Sequence, residues 1–249
     1  MTTDVLLDHF AIRSFRDVGD GDYIAARMAH RGKLDQQFLW AGLQALEKYL
    51  KCILLLNRIK ASDVRHDLGL GMKRINESGA ICLTISPSTS DLISYLDTCG
   101  RFRYFEMPYY TESWHLFYLD RAVWELRQYC TVTNYGRKTA DGEEVHMREI
   151  ELKAISERIE DSWRNPPQKI PLINGFLEKV IDDLKHPARK TLVWQNGFFG
   201  ARTRKTVELR NTFTSANSPL ALYPKILDQV SKYVYLPKEV KASICHQQL

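Results

Sequence analysis

Through the first half of the chain, apolar residues recur at helical spacing. Leu39, Leu43, Leu46, Leu50 and Ile53 follow a 4-3-4-3 rhythm, which lines one face of an α-helix. This predicts a helix from about Asp35 to Asn57, roughly 35 Å long and able to serve as the spine of a bundle. A short helix over Tyr23 to Ala29 is expected before it, capped by Asp20 or Asp22 and ended by Gly32. After it, Ser62 caps a third helix through Leu68, Met72 and Ile75 that ends near Gly79. The cluster Ser86-Pro87-Ser88-Thr89-Ser90 opens a fourth, from about Asp91 to Phe105, broken by Pro108. Thr111 then caps a fifth, Glu112 to Tyr129, carrying Trp114, Phe117, Tyr118 and Trp124. Long helices with short connections predict an all-α, up-and-down helical bundle over residues 1–129.

The pattern loosens after Tyr129. Thr131 to Val145, with Tyr135-Gly136 and Asp141-Gly142, reads as a loop or weak β-hairpin, and a helix from Met147 to Trp163 ends at Pro166-Pro167. Another helix is expected from Gly175 to Lys185. Asn196-Gly197, set between Leu192-Val193-Trp194 and Phe198-Phe199, suits a hairpin turn, while Ala188 to Asn196 suits a short helix equally well. Pro224 to Tyr235 and Pro237 to Ile244 read as closing helices, each with Pro near its first turn. Residues 130–249 are thus a mainly helical C-terminal region, either a separate unit or part of the same bundle.

Composition narrows the class. With 249 residues and 44% hydrophobic content there is enough apolar material for a sizeable core. The run Cys52 to Leu56 is far too short to span a bilayer, and the first residues lack the basic start of a signal peptide. The five cysteines, 52, 82, 99, 130 and 245, form no C-x-x-C pair, so reduced thiols in a cytoplasmic protein are expected. Charge is uneven. Lys185 to Arg210 holds seven cations and one acid, Glu208, a net +6, against +5 for the whole chain; the remainder is therefore close to neutral. Arg189, Lys190, Trp194, Arg202, Arg204 and Lys205 in that window are candidate nucleic-acid contacts, because cations neutralise phosphates and aromatic faces stack on unpaired bases.

Familiar catalytic signatures are missing. There is no phosphate-binding G-x-x-x-x-G-K-[ST] loop, no G-x-S-x-G elbow and no H-x-x-x-H pair among the seven histidines. Neither a metal site nor a cofactor is expected. Gln44, Glu47, Lys48 and Lys51 are spaced by three or four residues and share a helix face beside the apolar stripe. Gln44, Lys48 and Lys51 of that face, His66 and Asp67 from the following Arg65-His66-Asp67-Leu68, and Arg101, Arg103 and Tyr104 at the predicted end of the fourth helix form the candidate ligand-binding set.

The apolar run leading into Gln44-Ala45-Leu46-Glu47-Lys48-Tyr49-Leu50-Lys51, followed by His66-Asp67-Leu68, resembles the HEPN family. The likeness covers about Asp22 to Phe105 and is strongest over residues 38–68. It implies a compact helical domain, a homodimer, and binding of a nucleotide or RNA in a defence, stress or RNA-processing setting. Many such proteins are metal-independent ribonucleases whose active site resembles Arg, a polar residue, and a His four to six residues on. No arginine here has that spacing to a histidine. Arg58 and His66 stand one residue too far apart, and Arg103 to His115 is longer still. After Arg210-Asn211, Ser215, Ala216 and Asn217 stand where the histidine belongs. The resemblance therefore implies binding without cleavage. Arg210, Asn211 and His66 are the residual catalytic candidates for a divergent ribonuclease. An antitoxin-like module bound to a protein from a neighbouring gene is the remaining alternative.

Overall fold

In the computed structural model, Leu39, Leu43, Leu46, Leu50 and Ile53 are all buried, so the stripe that predicted the spine faces the core. The structure describes residues 2–102, 104–138, 141, 144–165, 167–200 and 212–246. It is predominantly helical, as the apolar spacing predicts. The spine, α3 (Asp35–Leu56), packs along α2 (Asp17–Arg31). Gly19 permits that approach: a Cβ there would sit 3.2 Å from the Ala45 carbonyl oxygen. Each buried Leu or Ile of the stripe contributes about 2 kcal/mol by leaving water.

Helix α2 is longer than its sequence suggests. It continues α1 (Thr3–Phe10) through a π-helical turn, Ala11–Arg16, with no break at Asp20 or Asp22. Those aspartates do not cap a helix; both lie within one and use their carboxylates for ion pairs. The next helix, α4 (Leu68–Ser78), is capped by Asp67, whose side chain accepts from the Leu70 amide at 2.7 Å, and not by Ser62. Ser86 caps α5 (Pro87–Tyr95), so the helix takes in most of the expected turn cluster and starts before Asp91; it passes into a π-turn and stops at Gly100, short of Phe105. Gly100 lies against the backbone of α3, where a Cβ would be 3.1 Å from the Leu39 carbonyl oxygen.

Thr111 does not cap the fifth helix. It lies in β1 (Tyr109–Glu112), and α6 (Ser113–Tyr129) is capped by Glu112 in a capping box with His115. The loop after α6 folds as the weak hairpin, β2 (Gly136–Lys138) against β3 (Glu144–His146), and α7 (Met147–Asp161) follows. Helix α8 (Phe176–Asp182) leads to α9 (Arg189–Val193), so the segment around Leu192 takes the short-helix alternative and no hairpin forms at Asn196-Gly197. Asn196 instead folds the chain back on itself, its side-chain oxygen accepting from the amides of Phe198 and Phe199.

β4 (Phe213–Ala216) pairs antiparallel with β1, placing Thr111 opposite Thr214. The chain closes with α10 (Pro219–Leu222), a 3-10 turn and α11 (Leu227–Ser231), shorter pieces than the helix expected over Pro224 to Tyr235, and with α12 (Lys238–His246), close to the helix expected over Pro237 to Ile244. The main core draws on Ile155, Ile159, Leu177, Leu192 and Phe198 as well as the first-half helices. A satellite cluster of Leu220, Leu227, Leu236, Val240 and Ile244 packs with Phe102 and Met107. The described cysteines 52, 82, 99 and 130 are free thiols. Among the described residues, no helix is long and apolar enough to cross a membrane.

Candidate functional site

Two buried arginines fasten the second half of the chain to the bundle. Arg127 of α6 donates to both carboxylate oxygens of Asp20, at 2.7 and 2.9 Å, and to both of Glu178, at 2.8 and 2.6 Å. The Tyr49 hydroxyl donates to Asp20 at 2.7 Å. Burial raises the Asp20 pKa, opposed by Arg127, whereas for Glu178 the hydrogen bonds and charge of Arg127 outweigh burial and hold the carboxyl low. Gly175 leaves room for the Arg127–Glu178 pair, which a Cβ at that position would strike.

Arg27 of α2 makes the second set. Its guanidinium pairs with Asp120, which also accepts from the Tyr23 hydroxyl at 2.6 Å. The same guanidinium donates to the backbone carbonyls of Thr191, at 3.1 Å, and of Trp194. Asn196 completes the arrangement, donating to the Tyr23 hydroxyl at 2.8 Å and to the Leu192 carbonyl at 2.9 Å. A buried ion pair inside the bundle therefore sets the course of the loop that presents Trp194.

The structure brings together much of the candidate ligand-binding set. His66 Nδ1 lies 2.8 Å from Glu47 Oε2 and 3.1 Å from Gln44 Nε2, and the His66 ring meets Trp40 edge-on at 5.0 Å. Lys51 pairs with Glu47 at 2.5 Å, and Lys48 pairs with Asp22 at 2.5 Å. Asp67 is the α4 cap, and Arg101 sits between Asp67 and Glu239, 3.9 and 3.8 Å away. Each of these cations thus has an acid beside it, so the face offers a phosphate little uncompensated charge. Tyr104 is 74% exposed, and its amide donates to Glu106 at 2.7 Å. In the basic window, Arg189 donates to the Ile181 carbonyl at 2.7 Å, Lys190 is exposed and Trp194 is 39% exposed. Arg103, Arg202, Arg204, Lys205, Arg210 and Asn211 lie outside the described residues.

Sequence reasoning missed a cleft of about 480 Å³ between the α2–α3 corner, the β1–β4 ribbon and the Trp194 loop. Its lining includes His30, Arg31, Lys33, Asp35, Thr111 and Trp194. The Arg31 guanidinium lies 5.2 Å from the centre of the Trp194 ring and donates to the Thr191 hydroxyl at 3.0 Å. Burial, reinforced by the nearby Arg27 charge, lowers the His30 pKa to about 4, and its Nδ1 has no hydrogen-bond partner among the described residues. His115, behind the ribbon, is likewise lowered to about 4 by burial, and its bare Nδ1 accepts from the Glu112 amide at 3.3 Å. Among the described residues, no group of three or more His, Cys, Asp or Glu side chains could hold a metal ion.

Comparison of the chain with protein-family models, with curated proteins and with solved structures finds no match.

Proposed function

We propose that this is a HEPN-like nucleotide- or RNA-binding protein that does not cleave its ligand and that works as a cytoplasmic homodimer. The observation that carries the reading is the platform at the head of the basic window, where the half-exposed Trp194 ring meets the Arg31 guanidinium at 5.2 Å. An aromatic face stacks on an unpaired base, and the adjoining cation attracts the phosphates that flank it. The +6 net charge of Lys185 to Arg210 supports a polyanionic ligand, since each phosphate neutralised releases counterions.

Binding without cleavage is supported by the absence of any arginine with the required spacing to a histidine, and two buried histidines near the cleft add to it. Metal-independent cleavage of RNA needs a proton acceptor and a proton donor that exchange readily near neutral pH. With pKa values lowered to about 4, His30 and His115 are almost wholly neutral at pH 7 and serve poorly as acids. Fluorescence anisotropy with labelled single-stranded RNA tests the reading. Binding at about 50 mM salt should weaken steeply as salt rises and should be reduced in Arg202→Ala/Arg204→Ala/Lys205→Ala. No binding at low salt, or binding indifferent to the triple substitution, would overturn it. Cleavage of the RNA in EDTA would favour the divergent ribonuclease instead.

A further inference from the structure

We infer that the cleft beside Trp194 is a mononucleotide site: the base lies on the Trp194 ring, and the phosphate lies between Arg31 and Lys33. The inference deepens the nucleotide- and RNA-binding reading and rests on it. The volume, about 480 Å³, falls within the range of small-molecule sites. The cleft combines an aromatic plate, two cations and a polar wall; the α3–α4 face also holds cations and an aromatic ring, but there Lys48 and Lys51 are paired with carboxylates. That wall is the β1–β4 ribbon, where Thr111 faces Thr214 and Ser113 Oγ lies 2.7 Å from Thr212 Oγ1. Asp35 supplies an acceptor for sugar hydroxyls or an exocyclic amine.

Two further observations point to a ligand. His30 Nδ1 is withdrawn from water and has no partner among the described residues. Buried polar atoms ordinarily are satisfied; a turn of the His30 ring, which lines the cleft, would bring this nitrogen to a bound nucleotide's hydroxyl or base edge. The second is the backbone of Lys33, which has φ 55°, in the left-handed region that glycine enters most easily. Its amide donates to the His30 carbonyl at 3.1 Å and the Leu34 amide to that of Ala29 at 2.9 Å, closing off the end of α2. Glycine would serve that turn better, yet the position carries a lysine whose side chain lines the cleft.

This permits a test that separates binding from folding. Isothermal titration calorimetry with AMP, CMP, adenosine and inorganic phosphate should show both nucleotides binding, with nucleoside and phosphate each much weaker. Lys33→Gly should weaken AMP binding about tenfold while leaving the melting temperature unchanged or raised. Trp194→Ala should weaken it by about tenfold, and Trp194→Phe should restore most of the loss. No nucleotide binding at millimolar concentration by the folded wild type, or wild-type affinity in both Lys33→Gly and Trp194→Ala, would overturn the inference. Mononucleotide binding without RNA binding would uphold the cleft and sink the RNA reading. RNA binding indifferent to both cleft variants would do the reverse.

Discussion

The α3–α4 face and the cleft beside Trp194 hold similar side chains: lysines, an arginine, a histidine and a tryptophan. They differ in what surrounds those charges. On the face, Lys48, Lys51 and Arg101 each have an acid close by, and His66 lies against Glu47. In the cleft, Asp35 and Glu112 also line the wall, but among the described residues neither is in an ion pair with Arg31 or Lys33. Arg31 rests on an aromatic ring, and the His30 Nδ1 lacks a partner among the described residues. Cations already matched by carboxylates gain little from a phosphate, because the existing pair must first be broken. The face is therefore better suited to holding α4 against α3, and the cleft to holding a ligand.

The two buried arginines allow the comparison to be broken at its foundations. The largest effect is expected from Arg127→Ala, which leaves Asp20 buried without its partner and frees Glu178. Breaking such a pair costs about 3–5 kcal/mol, or roughly 10 °C in melting temperature for a chain of this size. AMP affinity of the fraction that stays folded should change little, because Arg127 holds α8 through Glu178 and meets the segment after Trp194 at the Phe199 ring, 6.0 Å from its guanidinium, not at Trp194 itself. Arg27→Lys should cost less stability, about 2 kcal/mol, yet weaken nucleotide binding. Lysine keeps the charge beside Asp120 but cannot also reach the carbonyls of Thr191 and Trp194 as the guanidinium does. Thermal melts paired with AMP titrations read both effects, and a binding loss in Arg127→Ala alone would reverse the assignment.

A smaller effect concerns pH. His30 and His115 have folded pKa values near 4, below the ordinary value of 6.5. Their contribution to stability is therefore complete above about pH 6.5 and is lost as pH falls towards 4, on the order of 1 kcal/mol each after solvent screening. His30→Gln/His115→Gln should melt less acid-sensitively than the wild type over that interval, since glutamine keeps an acceptor for the Glu112 amide. Parallel acid-stability curves for the two proteins would contradict this.

The helical frame was legible because it repeats. The period along α3 survives any ambiguity of its ends, and the Ser86 cap and the break near Gly79 follow from local backbone chemistry. Asp20 was misread because an aspartate near a helix start ordinarily caps it; here its partner, Arg127, is 107 residues away. The face was legible for the same reason as the helix, since Gln44, Glu47, Lys48 and Lys51 are one element's neighbours. The cleft was not. It gathers residues from the α2–α3 corner, a four-residue strand at Tyr109–Glu112, the Trp194 loop and a second four-residue strand at Phe213–Ala216. Strands so short show no periodicity, and their pairing across about a hundred residues of chain has no local signature. Only Trp194, singled out by its basic neighbours, pointed there.

The direct test of the contrast is a paired RNA titration at one salt concentration. Lys33→Gly/Trp194→Ala should lower affinity for single-stranded RNA at least tenfold, because it removes a phosphate contact and a stacking plate. Lys48→Gln/Lys51→Gln should leave affinity within about twofold of the wild type, since those charges are spent on Asp22 and Glu47. The opposite ranking, with the face variant impaired and the cleft variant intact, would contradict the account.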